Sequence, residues 1–225
     1  HDAIDGDVFV NRKEIGKKQL SVLKSGTIWL LALSSAFMYI SRYAVNSWGV
    51  YYFEVEKHYS IVEASGLISI SSICGIIGTV FSGLLSDKLF RGKRYIPACL
   101  ASFMNLIALY LFLYIPDGGK LMDIVAMVLF GISIGILICY LGGLMAIDLA
   151  PKEATGAAVG VIGIASYMAA GIQDILSGFF IESKKQIIGG VEIIDFSFIR
   201  MFWILSAMVS LLLLICIYYK HHRRV

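Results

Sequence analysis

Six apolar stretches leave this chain few folds to choose from. They cover residues 27–53, 61–85, 95–115, 122–149, 154–181 and 196–219. Each reaches or approaches the roughly 20 helical residues needed to cross a bilayer core about 30 Å thick. They are continuous runs, not the ten-residue segments of alternating polarity that build a membrane barrel. The expected fold class is therefore all-α, a polytopic membrane protein with six transmembrane helices. Composition agrees: 58% of the 225 residues are hydrophobic, 16% are charged and the mean hydropathy is +0.80, too apolar for a water-soluble domain to cover.

The loops set the orientation. An even number of spans puts both ends on one side, and thirteen Lys and Arg residues fall there, among them Lys17, Lys18 and Lys24 before the first span and Lys88, Arg91, Lys93 and Arg94 after the second. The opposite side carries only Lys57, Lys120, Lys184 and Lys185, with Arg200 just inside the last span. Cytoplasmic loops collect basic residues, so both termini are expected in the cytoplasm. Residues 1–26 then form a cytoplasmic linker, 27–219 the membrane domain and 220–225 a cytoplasmic tail. Trp29, Trp48, Tyr51, Tyr52, Tyr95, Tyr114, Tyr218 and Tyr219 lie near span ends, where aromatic belts form. The net charge of +3 thus reports topology, and its residues make no stripe for nucleic acid. The segment IIGGVEII, around residue 190, is expected to form a small exterior hairpin.

Several chemistries find no residues. Cys74, Cys99, Cys139 and Cys216 sit inside apolar segments without CxxC spacing, and His1, His58, His221 and His222 make no metal pattern. Neither a metal nor a cofactor is expected. Nucleophile and base at workable spacing are absent, as is a Gly-rich phosphate loop, so the chain does not read as an enzyme.

Two features carry function instead. The first is GLLSDKLFRGKR, residues 83–94. Gly83 leaves room for a neighbouring helix, Asp87 stands at the cytoplasmic mouth, and Arg91, Lys93 and Arg94 face anionic headgroups. An acid opposed to cations at a helix end can latch helices that rock.

The second is charge within the bilayer. Arg42 lies about eleven residues, roughly 16 Å, from the outer end of its span, where a charge costs several kcal/mol unless it faces a cavity or a partner. Tyr39, Tyr43 and Asn46 extend a polar stripe around it. A guanidinium fork flanked by hydroxyl and amide groups suits a phosphate; an ion pair between helices is the competing reading. Asp174 is an acid at comparable depth, about 12 Å from its helix's outer end. It shares a face with Tyr167, Gly171 and Gly178, and Gln173 stands beside it. Pairing with Arg42, binding a proton or a sugar hydroxyl, and pairing with a helix from outside this chain all stay open for Asp174. Gly131 and Gly135, and Gly156 and Gly160, have the GxxxG spacing of close helix packing.

The 83–94 loop resembles the signature loop of the major facilitator superfamily, whose members have two six-helix halves. SRYAVNSWGVYYFEVEKHYS (41–60) and DLAPKEATGAAVGVIGIASYMAAG (148–171) are similar to segments of its organophosphate:phosphate antiporters. The resemblance implies that these six helices are the seventh to twelfth of a transporter, that the N-terminal half is missing, and that Arg42 occupies a phosphate-binding position. It implies an inner-membrane exchanger of an organophosphate, such as a sugar phosphate or glycerol 3-phosphate, for inorganic phosphate. Tyr39, Tyr43, Asn46, Tyr140, Tyr167 and Gln173 would then be candidate lining residues; the resemblance carries no role to Asp174, which is a candidate on its depth alone. A sugar-phosphate sensor of the same fold is the alternative, and a scaffold whose buried charges are structural is a third reading.

Overall fold

The computed structural model describes residues 14–90, 92–116, 119–188 and 191–222. A leader helix occupies residues 14–23, within the segment expected to be a linker. Among the described residues six helices are long and apolar enough to cross a membrane. They are α1 (Gly26–Val55), α2 (Ile61–Leu84), α3 (Tyr95–Tyr114), α4 (Lys120–Leu149), α5 (Thr155–Ser183) and α6 (Ser197–His222). In a medium without water every backbone N–H and C=O must be satisfied within the segment, and these continuous apolar runs do so as helices. A capping box starts α2: Ser60 Oγ accepts from the Glu63 N–H at 3.3 Å while the Ser60 N–H donates to Glu63 Oε2 at 3.2 Å. A hairpin forms at the expected segment, with β1 (Lys185–Ile188) antiparallel to β2 (Val191–Ile194) and Ile188 opposite Val191.

Helix α1 packs on α5, α6 and α2; α2 packs on α4, and α3 packs on α4 and α6. The C-terminal ends of α1 and α3 and the N-terminal end of α6 meet in a plug of aromatic rings. Tyr52 lies between Phe112, Phe196 and Trp203, with centroids 4.9, 5.2 and 6.2 Å away, and its hydroxyl donates to the Leu113 carbonyl at 2.8 Å. Small hydroxyls join the helices deeper in: Ser35 Oγ to Ser166 Oγ at 2.7 Å across α1 and α5, and Ser34 Oγ to the Ser210 carbonyl at 3.0 Å across α1 and α6. In the most apolar stretches of α2 and α5 only 22% of residues are buried, against 61% in α1 and α4. The bundle thus turns one side of α2 and of α5 outward.

Two of the helices depart from α geometry at one level. A π-turn, Leu85–Leu89, closes α2, and another, Tyr140–Leu144, interrupts α4. The Tyr140 hydroxyl donates to the Ser82 carbonyl at 2.7 Å and joins the two helices there.

Glycine decides the α2–α4 contact. A Cβ on Gly131 would stand 2.1 Å from the Ser71 carbonyl oxygen, and one on Gly135 would stand 2.1 Å from that of Gly75. The other expected glycine contacts do not form: a Cβ on Gly83, Gly156 or Gly160 would meet nothing within 4 Å. These three lie on faces that no described helix covers. A consequence follows for mutants: Gly135→Ala should cost about 1–3 kcal/mol as backbones are forced apart, and Gly160→Ala should stabilise slightly or change nothing. Thermal unfolding of the two variants in detergent compares them directly; equal midpoints would contradict this packing.

Candidate functional site

Arg42 leaves α1 toward α2 and α4. There it helps wall a cavity of ≈350 Å³ with Asn46 on the same helix, Ser71 and Thr79 on α2, and Gly131 and Gly135 on α4. The glycine seam sets the depth of this cavity, because larger residues on α4 would push its floor away from α2. The Ser71 hydroxyl donates to the Ile68 carbonyl at 2.8 Å and that of Thr79 to the Gly75 carbonyl at 2.9 Å. The guanidinium and the Asn46 amide are thus the polar donors of this wall that the helix backbone does not engage.

Two rings hold the guanidinium. Its central carbon lies 5.2 Å from the Tyr39 ring centroid and 5.5 Å from that of Tyr43. The rings are stacked on each other with centroids 6.0 Å apart. Aromatic faces attract a cation without occupying its hydrogen-bond donors. Among the described residues no carboxylate lies within ion-pairing distance of Arg42. A permanent cation whose donors meet no carboxylate among the described residues, partly buried between helices, is equipped to receive an oxyanion in a bidentate grip.

The other expected lining residues divide. Tyr39 meets Tyr167 edge to face with centroids 5.4 Å apart, and both line a second cavity of ≈420 Å³ with Gly142, Gly143, Gly163 and Ser166. Tyr39 therefore touches the cation on one side and this second cavity on the other. Tyr140 and Gln173 are turned away from both cavities. Tyr140 is fully buried and bonded to Ser82. Gln173 is fully buried with its amide donating to Ser177 Oγ at 3.0 Å, which also accepts from the Trp203 indole at 3.0 Å. The Tyr140 hydroxyl is engaged by α2, and the Gln173 amide by Ser177 one turn on in its own helix, α5.

Asp174 forms no ion pair with Arg42 among the described residues, although α1 and α5 run side by side from the Ser35–Ser166 contact to that of Trp48 with Gly178. One Asp174 carboxylate oxygen is buried without a hydrogen-bond partner there. In the 83–94 loop, the Asp87 side chain and Arg91 lie outside the described residues. Arg94 is engaged inward: its Nη1 donates to the Leu144 carbonyl at 2.7 Å and to Asp148 Oδ1 at 2.8 Å. It ties the start of α3 to the C-terminal end of α4, whereas the loop pattern alone directs it at headgroups.

No motif in the sequence marks the charged cluster where α1 ends and α4 begins. Lys57 pairs with Asp123, which also accepts from the Tyr59 hydroxyl at 2.8 Å. The Lys57 side chain is 2% exposed and that of Asp123 0%, and the Lys57 Nζ lies 5.5 and 5.8 Å from the centroids of Phe53 and Phe112. Arg200 pairs with Glu56 over the Tyr52 ring nearby. A signal for Asp123 does exist in the spacing: Asp123, Met127, Phe130 and Ile134 fall on one helical face, and all four are buried.

Comparison with known proteins adds the following. The model of the Major Facilitator Superfamily matches residues 7–173. The chain is similar to a glycerol-3-phosphate transporter of Bacillus subtilis, 32% identical over 177 residues, covering 76% of this chain and 39% of the relative. It is similar to a probable hexose phosphate transport protein of Chlamydia trachomatis, 31% identical over 182 residues, covering 76% and 38%. Similarity extends to the membrane sensor protein UhpC of Salmonella typhimurium, 31% identical over 180 residues, covering 76% and 39%. The chain thus spans about two-fifths of the length of these curated relatives.

Proposed function

We propose that this chain, which belongs to the Major Facilitator Superfamily, forms one six-helix wall of a transporter that exchanges an organophosphate for inorganic phosphate by alternating access. Arg42 is its phosphate-binding group, and Tyr39, Tyr43 and Asn46 set the guanidinium and share the site. The observation that carries this reading is a cation held beside two stacked aromatic rings at the wall of a cavity, with its donors uncommitted to any described carboxylate. Relatives named for glycerol 3-phosphate and hexose phosphate support the substrate class.

The opposing wall is a second six-helix unit outside this chain, the N-terminal half. The outward sides of α2 and α5 are the surfaces available to it. The site then lies near the bilayer midplane between the halves, as in other transporters built from repeats. Gly83, Asp87, Arg91 and Arg94 form the gating loop at the cytoplasmic side of the inner membrane, where both termini lie. Asp174 faces the substrate's organic end or the absent half. No step breaks a covalent bond, so the protein is not an enzyme.

Similarity to a membrane sensor supports one second reading, in which ligand binding at the same arginine signals to a partner. Exchange separates the two. Full-length protein in vesicles preloaded with phosphate should take up labelled phosphate and hexose 6-phosphate or glycerol 3-phosphate against the internal pool. Tight binding of these ligands without exchange would replace the transporter with the sensor, and absence of both would leave neither.

A further inference from the structure

The inner ends of α1 and α6 carry polar groups that the transport site does not use. The leader helix is docked by one face only: Val22 is buried, and Lys18 Nζ donates to Glu153 Oε1 at 2.9 Å, just before α5. That hydrogen bond raises the Lys18 ammonium above the ordinary lysine pKa. The opposite face presents Lys17, Leu20 and Leu23, the two leucines 52% and 44% exposed. The Trp29 indole donates back to the Leu23 carbonyl at 2.7 Å while its ring stays 48% exposed. From the other end of the chain, Lys220 brings its Nζ to 3.8 Å from where a Cβ on Gly26 would stand, two residues beyond Lys24. Among the described residues Lys17, Lys24 and Lys220 have no carboxylate within ion-pairing distance.

We propose that this face, formed by the leader helix and the inner ends of α1 and α6, binds the headgroup of an anionic phospholipid. Each part of the pattern fits a headgroup and its upper acyl chain. Lysines with free ammonium groups supply the charge, and exposed leucines and an indole whose N–H is already bonded supply apolar surface at the same level. A soluble anion has no use for Leu20, Leu23 and Trp29. The surface also continues onto the lipid-facing sides of membrane helices, where a headgroup must lie. Lys18 belongs to the other face and is paired with Glu153, so the two adjacent lysines differ: one is engaged within the protein and one reads the lipid.

The experiment retains lipid on the purified full-length protein and counts it by native mass spectrometry from mixtures of phosphatidylglycerol and phosphatidylcholine. Wild-type protein is expected to prefer phosphatidylglycerol. The triple variant K17Q/K24Q/K220Q is expected to lose that preference by about fivefold per lysine removed, and Lys18→Gln to keep it. A second measurement uses phosphatidylglycerol with brominated chains, which is expected to quench a fluorescence component that the Trp29→Phe variant lacks. Equal retention of the two lipids by wild type, unchanged preference in the triple variant, or loss of preference in Lys18→Gln would each overturn the site. Quenching identical in wild type and Trp29→Phe would also overturn it, because protein from outside this chain would then cover the face.

Discussion

Replacing Arg42 with lysine in the full-length protein is expected to lower phosphate affinity and exchange by about tenfold to hundredfold, although the charge is kept. Lysine offers a compact ammonium where arginine offers a planar fork, so one of two parallel charge-assisted bonds to the oxyanion is lost. A hydrogen bond to a charged group contributes about 1.5–3 kcal/mol, and 1.4 kcal/mol is a factor of ten. The two rings sharpen the expectation: Tyr39 and Tyr43 stack beside the guanidinium and fix a plane that a flexible ammonium does not have. Tyr43→Phe leaves a ring face for the cation and should change affinity by less than the lysine variant does. The readout is the concentration of phosphate that half-saturates exchange, with thermal unfolding as the check on folding. Native affinity in Arg42→Lys would remove the fork from the site; weakened affinity in Tyr43→Phe equal to that in Arg42→Lys would assign binding to the phenol instead.

How much of this was legible beforehand depended on whether one helix or two had to be known. Span limits needed only length and hydropathy, and all six appear within a few residues of their expected ends. The isolated position of Arg42 was likewise a property of its own segment. Contacts between segments were not legible in that way. Gly131 with Gly135 and Gly156 with Gly160 carry the same spacing, yet the first pair touches the backbone of α2 and the second meets nothing within 4 Å. Spacing states what a helix permits, and only the neighbour's position decides whether the permission is used. Tyr140 shows the same limit, since nothing in its own segment points to the Ser82 carbonyl of α2 that its hydroxyl meets, whereas the Ser177 hydroxyl that engages Gln173 stands four residues on in its own helix. Arg94 shows the limit from the other side, since its acceptors Leu144 and Asp148 lie some fifty residues onward in the chain.

The outer cluster yields the second large effect. Asp123→Leu is expected to destabilise the protein by about 3–5 kcal/mol, because it leaves the Lys57 ammonium buried without its partner. Lys57→Met should cost a similar amount, stranding the carboxylate with only the Tyr59 hydroxyl to donate to it. The double variant is expected to recover most of the loss, since two apolar side chains of similar volume replace a pair whose attraction is offset by desolvation. The surroundings favour this outcome: Phe53 and Phe112 flank the ammonium, and both rings are fully buried in apolar contact. Thermal unfolding of the four proteins in one detergent gives the coupling between the sites. Single losses that simply add in the double variant would mean that Lys57 and Asp123 stabilise the fold through separate contacts. Recovery would mean that the pair acts as a unit, joining the C-terminal end of α1 to the N-terminal end of α4. It would also separate the two kinds of buried charge in this chain: one matched inside the fold and replaceable by packing, the other, at Arg42, left unmatched within it and therefore expected to fail on replacement only when phosphate is present.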